Sequence, residues 1–387
     1  MKRLSGARLV GAWGTNQVMA AELSRLCVRA LGLRPPNPRT AGSGTLIYDT
    51  DEDTADKLAR VAVTYHRTSS RVLRDLYESR ATRLEALHAD LSALCAADER
   101  PWLADGARIS IRARNLGGFA AGPRQVVGAV KAAIIDGARA RKKRVTVDAD
   151  SPDVTLAVRL HDDALTVSVD VAGRSLASRG FRADGGEAPL RENLAAALVM
   201  LARFDARKDV LIDPMCGSGT IAIEAALMAA GAPLAGGNAA PPLFPGTHPT
   251  IIAGDNDPRQ IGRARKAIAG AGLAVHTGAD KPPAGAIHTI AGDFRALTPA
   301  RVAGLAGSRA LQSGVIIANL PYGERLPMAD AYRLYSDVAA WARQFRGLRA
   351  AFLIANPRLA RAFGTRPKLE KPLRNGGIPV WLYVFAW

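Results

Sequence analysis

Residues 209–230, DVLIDPMCGSGTIAIEAALMAA, constrain the chain more than any other stretch. Val210, Leu211 and Ile212 form a short apolar run, the pattern of a strand buried on both faces. Asp213 ends it. Met215 to Gly219 make a glycine turn, and Thr220 opens an apolar, Ala-rich segment that reads as a helix. Strand, glycine loop, helix is the opening unit of a nucleotide-type α/β site. Gly217 and Gly219 lack Cβ, so the backbone can turn tightly and a ligand can lie against it.

Several readings fit this unit. GSGTIA satisfies the G-x-G-x-x-A dinucleotide fingerprint, but that fingerprint wants an acid about 20 residues on. The next strand-end acid, Asp255, lies well beyond that. A P-loop needs Gly-Lys-Ser/Thr, and no Lys follows Gly219. D-x-x-x-G-x-G is also a common opening of an S-adenosylmethionine (SAM) site. A helix–strand turn with no ligand is the fourth reading.

A second stretch narrows these. In VIIANLPYGER (315–325), Val315 to Ala318 is another buried strand and Asn319-Leu320-Pro321-Tyr322 sits at its C-terminal end. Ligands of open α/β sheets bind outside such ends. The order Asn, carbonyl, Pro, aromatic resembles the N-P-P-Y motif of methyltransferases that act on exocyclic amino groups. The two motifs together point to SAM.

DPMCGSGTIAIEAAL, then GDNDP, GDF and NLPYGERL resemble, in that order, the RNA methyltransferases that carry a THUMP domain. Within these, the chain resembles the bacterial guanine-N2 group, RlmL and YpsC-like. RGFRADGGEAPLRENLAAALVMLA (179–202) is similar to that family's approach to its catalytic domain. The resemblance is specific across 179–387, looser across 40–175 and faint before residue 40. One departure is Leu320, where the family usually has Pro.

The resemblance implies an α/β fold: a Rossmann-like SAM methyltransferase domain preceded by an α+β ferredoxin-like/THUMP RNA-binding module. The expected divisions are a ferredoxin-like lobe at 1–70, a THUMP-like domain at 71–173, a linker at 174–188 and the catalytic domain at 189–387.

Composition agrees with a nucleic-acid partner. Lys+Arg 52 against Asp+Glu 35 gives +17, with 48% hydrophobic residues. Such a chain is globular and attracted to phosphate polyanions. Some proteins are basic throughout for other reasons, and here the excess is spread along the chain. Cys27, Cys95 and Cys216 have no metal spacing and no disulfide framework, which fits a reducing cytosol. No apolar run reaches the ~18 residues of a membrane helix. The N-terminus lacks the apolar region of a signal peptide, and the expected location is cytoplasmic.

Along the chain, a helix is expected around Asn16–Leu31, a strand at Thr45–Tyr48 and helices at Leu84–Leu94 and Pro123–Gly137. ARISIRARN (107–115) alternates: Ile109, Ile111 and Ala113 on one face, Arg108, Ser110, Arg112 and Arg114 on the other. RARKKR (139–144) is the densest basic run. Two alternating strands around the HDDA turn follow. Arg108, Arg112, Arg114, Arg139, Arg141, Lys142, Lys143 and Arg144 are candidate contacts to an RNA backbone. A solvated charged face is the competing reading. Aromatic interleaving is absent, so shape and phosphate recognition are expected rather than base stacking. Arg179, Phe181 and Arg182 are candidates for touching RNA or cofactor. The Gly/Pro-rich stretch 231–249 reads as a loop. VWLYVFAW (380–387) is expected to close the sheet. His66 and His88 carry no assignment.

By resemblance, Asp213 lies near the methionine part of SAM and Asp255 accepts from the ribose hydroxyls, with Pro214, Cys216, Gly217, Gly219 and Asn256 as further cofactor-binding residues. Asp293 accepts from the adenine amino group, with Phe294 as a ring contact, and Asn319 borders the cofactor. For each acid alone a helix N-cap is the competing reading, though three at successive strand ends, two of them inside Gly-Asp sequences, favour the ligand. The acceptor is expected to be an exocyclic amine held by the Asn319 side-chain oxygen and the Leu320 carbonyl. Pro321 stiffens the loop and Tyr322 stacks on an extruded base. Leu for Pro at 320 is expected to relax the loop. Arg325 is a phosphate ligand or a surface residue. Cys216 as a thiol nucleophile is disfavoured, since it lies in the cofactor loop. No metal and no obligate protein partner is expected. The implied product is N2-methylguanosine in 23S ribosomal RNA, with a tRNA guanine next. A DNA adenine-N6 methyltransferase or a non-catalytic SAM- and RNA-binding protein are the readings from other classes.

Overall fold

A computed structural model describes the chain except residues 1, 115, 117–118, 120, 162, 182–189, 235–239, 279, 308–310 and 322–326. In chain order the first half holds β1 (Lys2–Gly11), α1 (Asn16–Leu31), β2 (Arg39–Thr40), β3 (Thr45–Asp49), α2 (Glu52–Tyr65), β4 (Ser69–Ser79), α3 (Leu84–Ala96), β5 (Ala107–Arg114), α4 (Pro123–Ala140), β6 (Val145–Val147), β7 (Val154–His161) and β8 (Ala164–Asp170). Then come α5 (Glu192–Leu201), β9 (Val210–Asp213), α6 (Thr220–Ala230), β10 (Thr250–Asp255), α7 (Pro258–Gly270), β11 (Val275–His276), β12 (Ile287–Ala291), α8 (Pro299–Ala306), β13 (Gly314–Asn319), α9 (Met328–Ala342), β14 (Leu348–Ile354), β15 (Leu369–Asn375) and β16 (Ile378–Ala386).

Contacts divide the chain into two units. The first comprises Met1–Val10, Leu31–Val63 and Arg71–Ser175; the second comprises Gly11–Ala30, Thr64–Ser70 and Leu176–Trp387.

The first unit is built on one eight-stranded sheet, β2-β3-β1-β4-β8-β7-β5-β6. The boundary expected at 70/71 falls inside β4, and the strands on either side of it share that sheet. The physical reason is the continuous ladder: with β1 beside β4, no free edge separates residues 2–49 from 71–173. The buried Arg8 guanidinium, paired with Asp75 at 2.8 Å, ties the two strands further. The alternation of β5 is realised at Ile109, Arg112 and Arg114, while Ser110, expected outward, is buried with its hydroxyl 3.1 Å from that of Thr155. Ile109 packs with Leu156, Val158, Leu165 and Val167 against Leu87 and Leu91 of α3 and Val126, Val130 and Ile134 of α4.

The second unit carries a second eight-stranded sheet, β11-β12-β10-β9-β13-β14-β16-β15. β11 through β14 are parallel, and β16 and β15 are antiparallel additions. Val210 to Ile212 are buried, as continuous apolar runs demand when helices cover both faces. The C-terminal strand does not close the sheet. β16 lies between β14 and β15, because residues 369–375, unassigned from the sequence, pair along its outer edge. The chain steps from β9 through β10 to β12 on one side and returns to β13 and β14 on the other. The order therefore reverses between β9 and β13, and the crevice for a ligand opens outside the carboxyl ends there.

Candidate active site

The glycine loop after β9 is held by main-chain bonds. Cys216 N–H donates to the Gly254 carbonyl at 2.8 Å, and Gly219 N–H to the Cys216 carbonyl at 2.8 Å. Gly217 and Gly219 have φ of 53° and 78°, the left-handed region that L side chains avoid. Space beside Gly217 is open: a Cβ built there would meet nothing within 4 Å.

Asp213 ends β9 fully buried. It accepts the Met215 N–H at 3.3 Å through Oδ1, while its Oδ2 has no partner among the described residues. Burial, together with the charge of nearby Asp255, holds its carboxyl well above the usual range. A buried carboxyl oxygen with no partner among the described residues is an acceptor that a cationic or hydroxyl-bearing ligand would satisfy. Asp255, one strand away, accepts Gly217 N–H at 2.9 Å through Oδ2 and Asp257 N–H at 3.0 Å through Oδ1. Each oxygen keeps a lone pair for a ligand. Asn256 is exposed beside it and Pro214 is buried.

Asp293 is partnered within its own turn. It caps the short turn 294–296 through Arg295 N–H at 2.8 Å and pairs with the Arg295 guanidinium at 2.8 Å. Here the capping role is realised. Phe294 is buried edge-on against Trp341, with the Arg295 guanidinium 4.6 Å from its centroid. Cys216 is buried, and burial plus the charges of Asp213 and Asp255 push its thiol up, so a thiolate is disfavoured.

Asn319 ends β13 in register with Leu353. Leu320 N–H then donates to the Leu353 carbonyl at 3.0 Å, and the Leu320 side chain is buried in the cluster of Ala331, Tyr335 and Phe363. The departure from Pro therefore does not relax the loop. Leucine supplies an N–H that proline lacks and a side chain that anchors the segment. Pro321 is exposed, and its carbonyl accepts the Tyr335 hydroxyl at 2.9 Å. Tyr322 and Arg325 lie outside the described residues, as does Arg182.

Arg179 is a correction. It is 4% exposed, donates to the Arg67 carbonyl at 2.5 Å and pairs with Glu224 at 3.4 Å. Glu224 sits in α6, where nearly every residue is buried, and its charge draws Arg67 at 3.2 Å as well. Arg67 N–H and Thr68 N–H in turn donate to the buried carboxylate of Glu22 at 2.9 Å each. This network escaped the sequence reading. The signal was a lone glutamate inside the otherwise apolar TIAIEAALMAA, since a buried carboxylate has to be paired. His66 belongs to it, with Nε2 2.9 Å from the Met19 carbonyl.

The basic candidates divide into compensated and uncompensated groups. Arg108 pairs with Asp153 at 2.9 Å, Arg139 with Asp136 at 3.2 Å, and Lys143 donates to the Leu103 carbonyl at 2.5 Å. Arg141 is the C-cap of α4, and Lys142, the next residue, takes φ of 59°. Arg144 is exposed; its main-chain N–H donates to Asp105 at 2.7 Å. Arg112 and Arg114 are exposed and make no ion pair with a described residue. They share the face of β5 opposite Ile109. Arg114 stands in register with Arg159, whose Nε is buried without a partner among the described residues. In the insertion 231–249, Leu234 N–H donates to the Thr64 carbonyl at 2.7 Å and Phe244 lies under Arg25 and Arg29. Among the described residues no group of three or more His, Cys, Asp or Glu could hold a metal, and no helix is long and apolar enough to cross a membrane.

Comparison with known proteins bears on this arrangement. The family model of the RMKL-like methyltransferase domain matches residues 179–383. The chain is 32% identical to the ribosomal RNA large subunit methyltransferase K/L of Syntrophotalea carbinolica, over 96% of this chain and 52% of that protein. It is 35% identical to the protein of the same name from Chromohalobacter salexigens, over 64% of this chain and 36% of that one. The chain thus spans about half, or less, of the length of these relatives. Among solved structures, SMU.472 complexed with SAH superposes with TM-score 0.78 at 24% identity, covering 100% of this chain and 99% of that one. TrmN from Thermus thermophilus superposes with TM-score 0.71 at 23% identity, covering 98% of each chain. At these identities the likeness establishes the fold, a methyltransferase-like α/β architecture.

Proposed function

The chain belongs to the RMKL-like methyltransferase-domain family and carries a SAM-dependent methyltransferase domain, and from that premise we propose that it methylates the exocyclic N2 of a guanosine in 23S ribosomal RNA. The observation that carries the proposal is the pairing of two strand ends across the switch point. β9 delivers Asp213 and the glycine loop, and β13, its direct neighbour, delivers Asn319-Leu320-Pro321.

The residues fit SAM. Asp213 offers an unpartnered buried oxygen, Asp255 retains acceptor capacity, and Gly217 leaves open space. SAM would supply a methyl group activated on a sulfonium, whose S–CH3 bond breaks as the new N–C bond forms and which leaves as a neutral thioether. Everything else is asked of the protein. The lone pair of a guanine amino nitrogen is delocalised into the ring, which makes it a poor nucleophile. The Asn319 side-chain oxygen and the Leu320 carbonyl accept its two N–H groups and turn the lone pair toward the methyl. The nitrogen then loses one proton to solvent. Positioning and fixed dipoles supply the rate.

The basic first unit is read as the THUMP-type RNA-docking module. Arg112 and Arg114 are its principal phosphate contacts, since no described carboxylate compensates them. A cytoplasmic location follows from the ribosomal substrate, and no obligate protein partner is invoked.

The test is transfer of tritiated methyl from SAM to total RNA of a strain lacking the gene, followed by digestion to nucleosides, with Asn319→Ala as control. Label in N2-methylguanosine of the ribosomal fraction, lost in the variant, supports the proposal. Label confined to tRNA moves the substrate to tRNA and keeps the chemistry. SAM binding with no label in RNA overturns the activity.

A further inference from the structure

We propose that Tyr335, on α9, is a positioning residue for methyl transfer, acting through the backbone of the acceptor loop. The inference rests on the reading of the Leu320 carbonyl as an acceptor of the substrate amine.

That carbonyl belongs to the peptide joining Leu320 to Pro321. The peptide before it is fixed by Leu320 N–H, which donates to the Leu353 carbonyl at 3.0 Å. The peptide after it is fixed by the Tyr335 hydroxyl, which donates to the Pro321 carbonyl at 2.9 Å. Between them the Pro321 ring locks φ near −65°. The Leu320 side chain is fully buried, so the residue cannot swing to reorient its oxygen. The acceptor peptide is therefore bracketed on both sides by hydrogen bonds and stiffened in the middle. It has no N–H of its own to compete for the oxygen's orientation.

Tyr335 is suited to this task. Its ring is fully buried and stacks on Phe363 with centroids 5.7 Å apart and planes 18° from parallel. Phe363 stacks in turn on Phe352 of β14 at 5.1 Å. The hydroxyl is thus mounted on the aromatic core that supports β13 and β14. A tyrosine needed only for packing would do as well as phenylalanine. Here the one polar atom of a fully buried ring is spent on the carbonyl immediately after the acceptor.

The variant Tyr335→Phe keeps the ring and removes only the hydroxyl. With the full chain, ribosomal RNA and labelled SAM, we expect kcat to fall about tenfold or more, since misplacement of a reacting contact by ~1 Å costs on the order of 10²-fold. SAM affinity, measured by calorimetry, stays within about twofold, and Tm shifts little. Phe345→Leu, in the same core cluster but away from the loop, serves as the structural control: Tm falls and kcat holds. Unchanged kcat in Tyr335→Phe, with a wild type that transfers methyl, overturns the proposal. So does a loss of kcat matched by an equal loss in Phe345→Leu. Should Tyr335→Phe fail to fold, Pro321→Ala frees the same peptide from its other constraint, and unchanged kcat there also overturns it. A wild type that labels no RNA instead strikes the function proposed above and is recognised by that separate result.

Discussion

Gly217 and Asp255 are joined: the loop amide donates to the carboxylate at 2.9 Å, so the acid at the end of β10 holds the glycine turn that follows β9. An acid proposed as a ribose ligand is also a structural tie for the loop. Asp255→Ala removes both roles, and Asp255→Asn keeps oxygen at one position. A charged hydrogen bond is worth about 1.5–3 kcal/mol. The alanine variant should therefore bind SAM about 100-fold or more weakly by calorimetry, with the asparagine variant between it and wild type. Equal affinity in all three proteins would remove Asp255 from the site.

Asp213 makes a pH prediction. Its folded-state carboxyl lies above the ordinary 3.8, chiefly through burial. The folded state therefore binds the proton more tightly than the unfolded state. The stability this contributes is complete below 3.8 and is lost as pH rises through the raised value. Asp213→Asn should raise Tm of the ligand-free protein at pH 8, with a gain that shrinks as pH is lowered. The same variant should lose SAM binding. A wild type as stable as the variant at pH 8 contradicts the burial argument.

Leu320→Pro separates residue identity from carbonyl. It deletes the N–H that bonds to the Leu353 carbonyl and leaves that acceptor without its partner, at about 1–3 kcal/mol. The main-chain oxygen remains. Denaturant unfolding should show the loss, and kcat under saturating substrates should fall as well, since this bond is one of the two that bracket the acceptor peptide. A loss of stability with kcat unchanged would mean that the Leu353 bond does not position the acceptor carbonyl.

Arg67 and Glu224 are buried together, with side chains 3% and 0% exposed. Breaking such a pair leaves a buried charge uncompensated and typically costs about 3–5 kcal/mol. Arg67→Ala should be strongly destabilised in urea, and Arg67→Ala with Glu224→Ala less so than the sum of the singles. Additive costs would show that the two charges do not depend on each other.

Arg112 and Arg114 should carry more of the RNA electrostatics than Arg108 or Arg139, whose charges are met by Asp153 and Asp136. Each phosphate contact contributes roughly 0.7–0.9 to the salt slope. Arg112→Ala with Arg114→Ala should lower the slope of log K against log salt by about 1.4–1.8, and Arg108→Ala with Arg139→Ala by less. The opposite order would exclude the open face of β5 as the RNA contact.

Local pattern was enough wherever one stretch of chain decides its own state. The apolar run Val210–Ile212, the glycine turn and the Ala-rich helix after Thr220 were all legible, and α1 appears with the expected limits. Alternation in 107–114 assigned Ile109 inward and Arg112 and Arg114 outward. These outcomes depend on periodicity and on the φ that glycine alone adopts freely. β15 was missed because LEKPLRN has no clean alternation, and its strand form comes from pairing with β16.

What the sequence by itself determined, then, is the set of local elements and the chemistry offered at the strand ends after β9, β10 and β13. Tertiary structure alone decided how the charged candidates are partnered. Asp293 pairs with Arg295, Arg179 with Glu224, and Arg108 with Asp153, while Asp213 keeps an oxygen unpartnered among the described residues. It also decided that Tyr335 reaches Pro321 and that Glu22, Arg67 and Glu224 meet in one unit. Charge pairing and hydrogen bonding act through space over a few ångströms. Partners 14 to 157 residues apart leave no periodic trace in the chain that joins them.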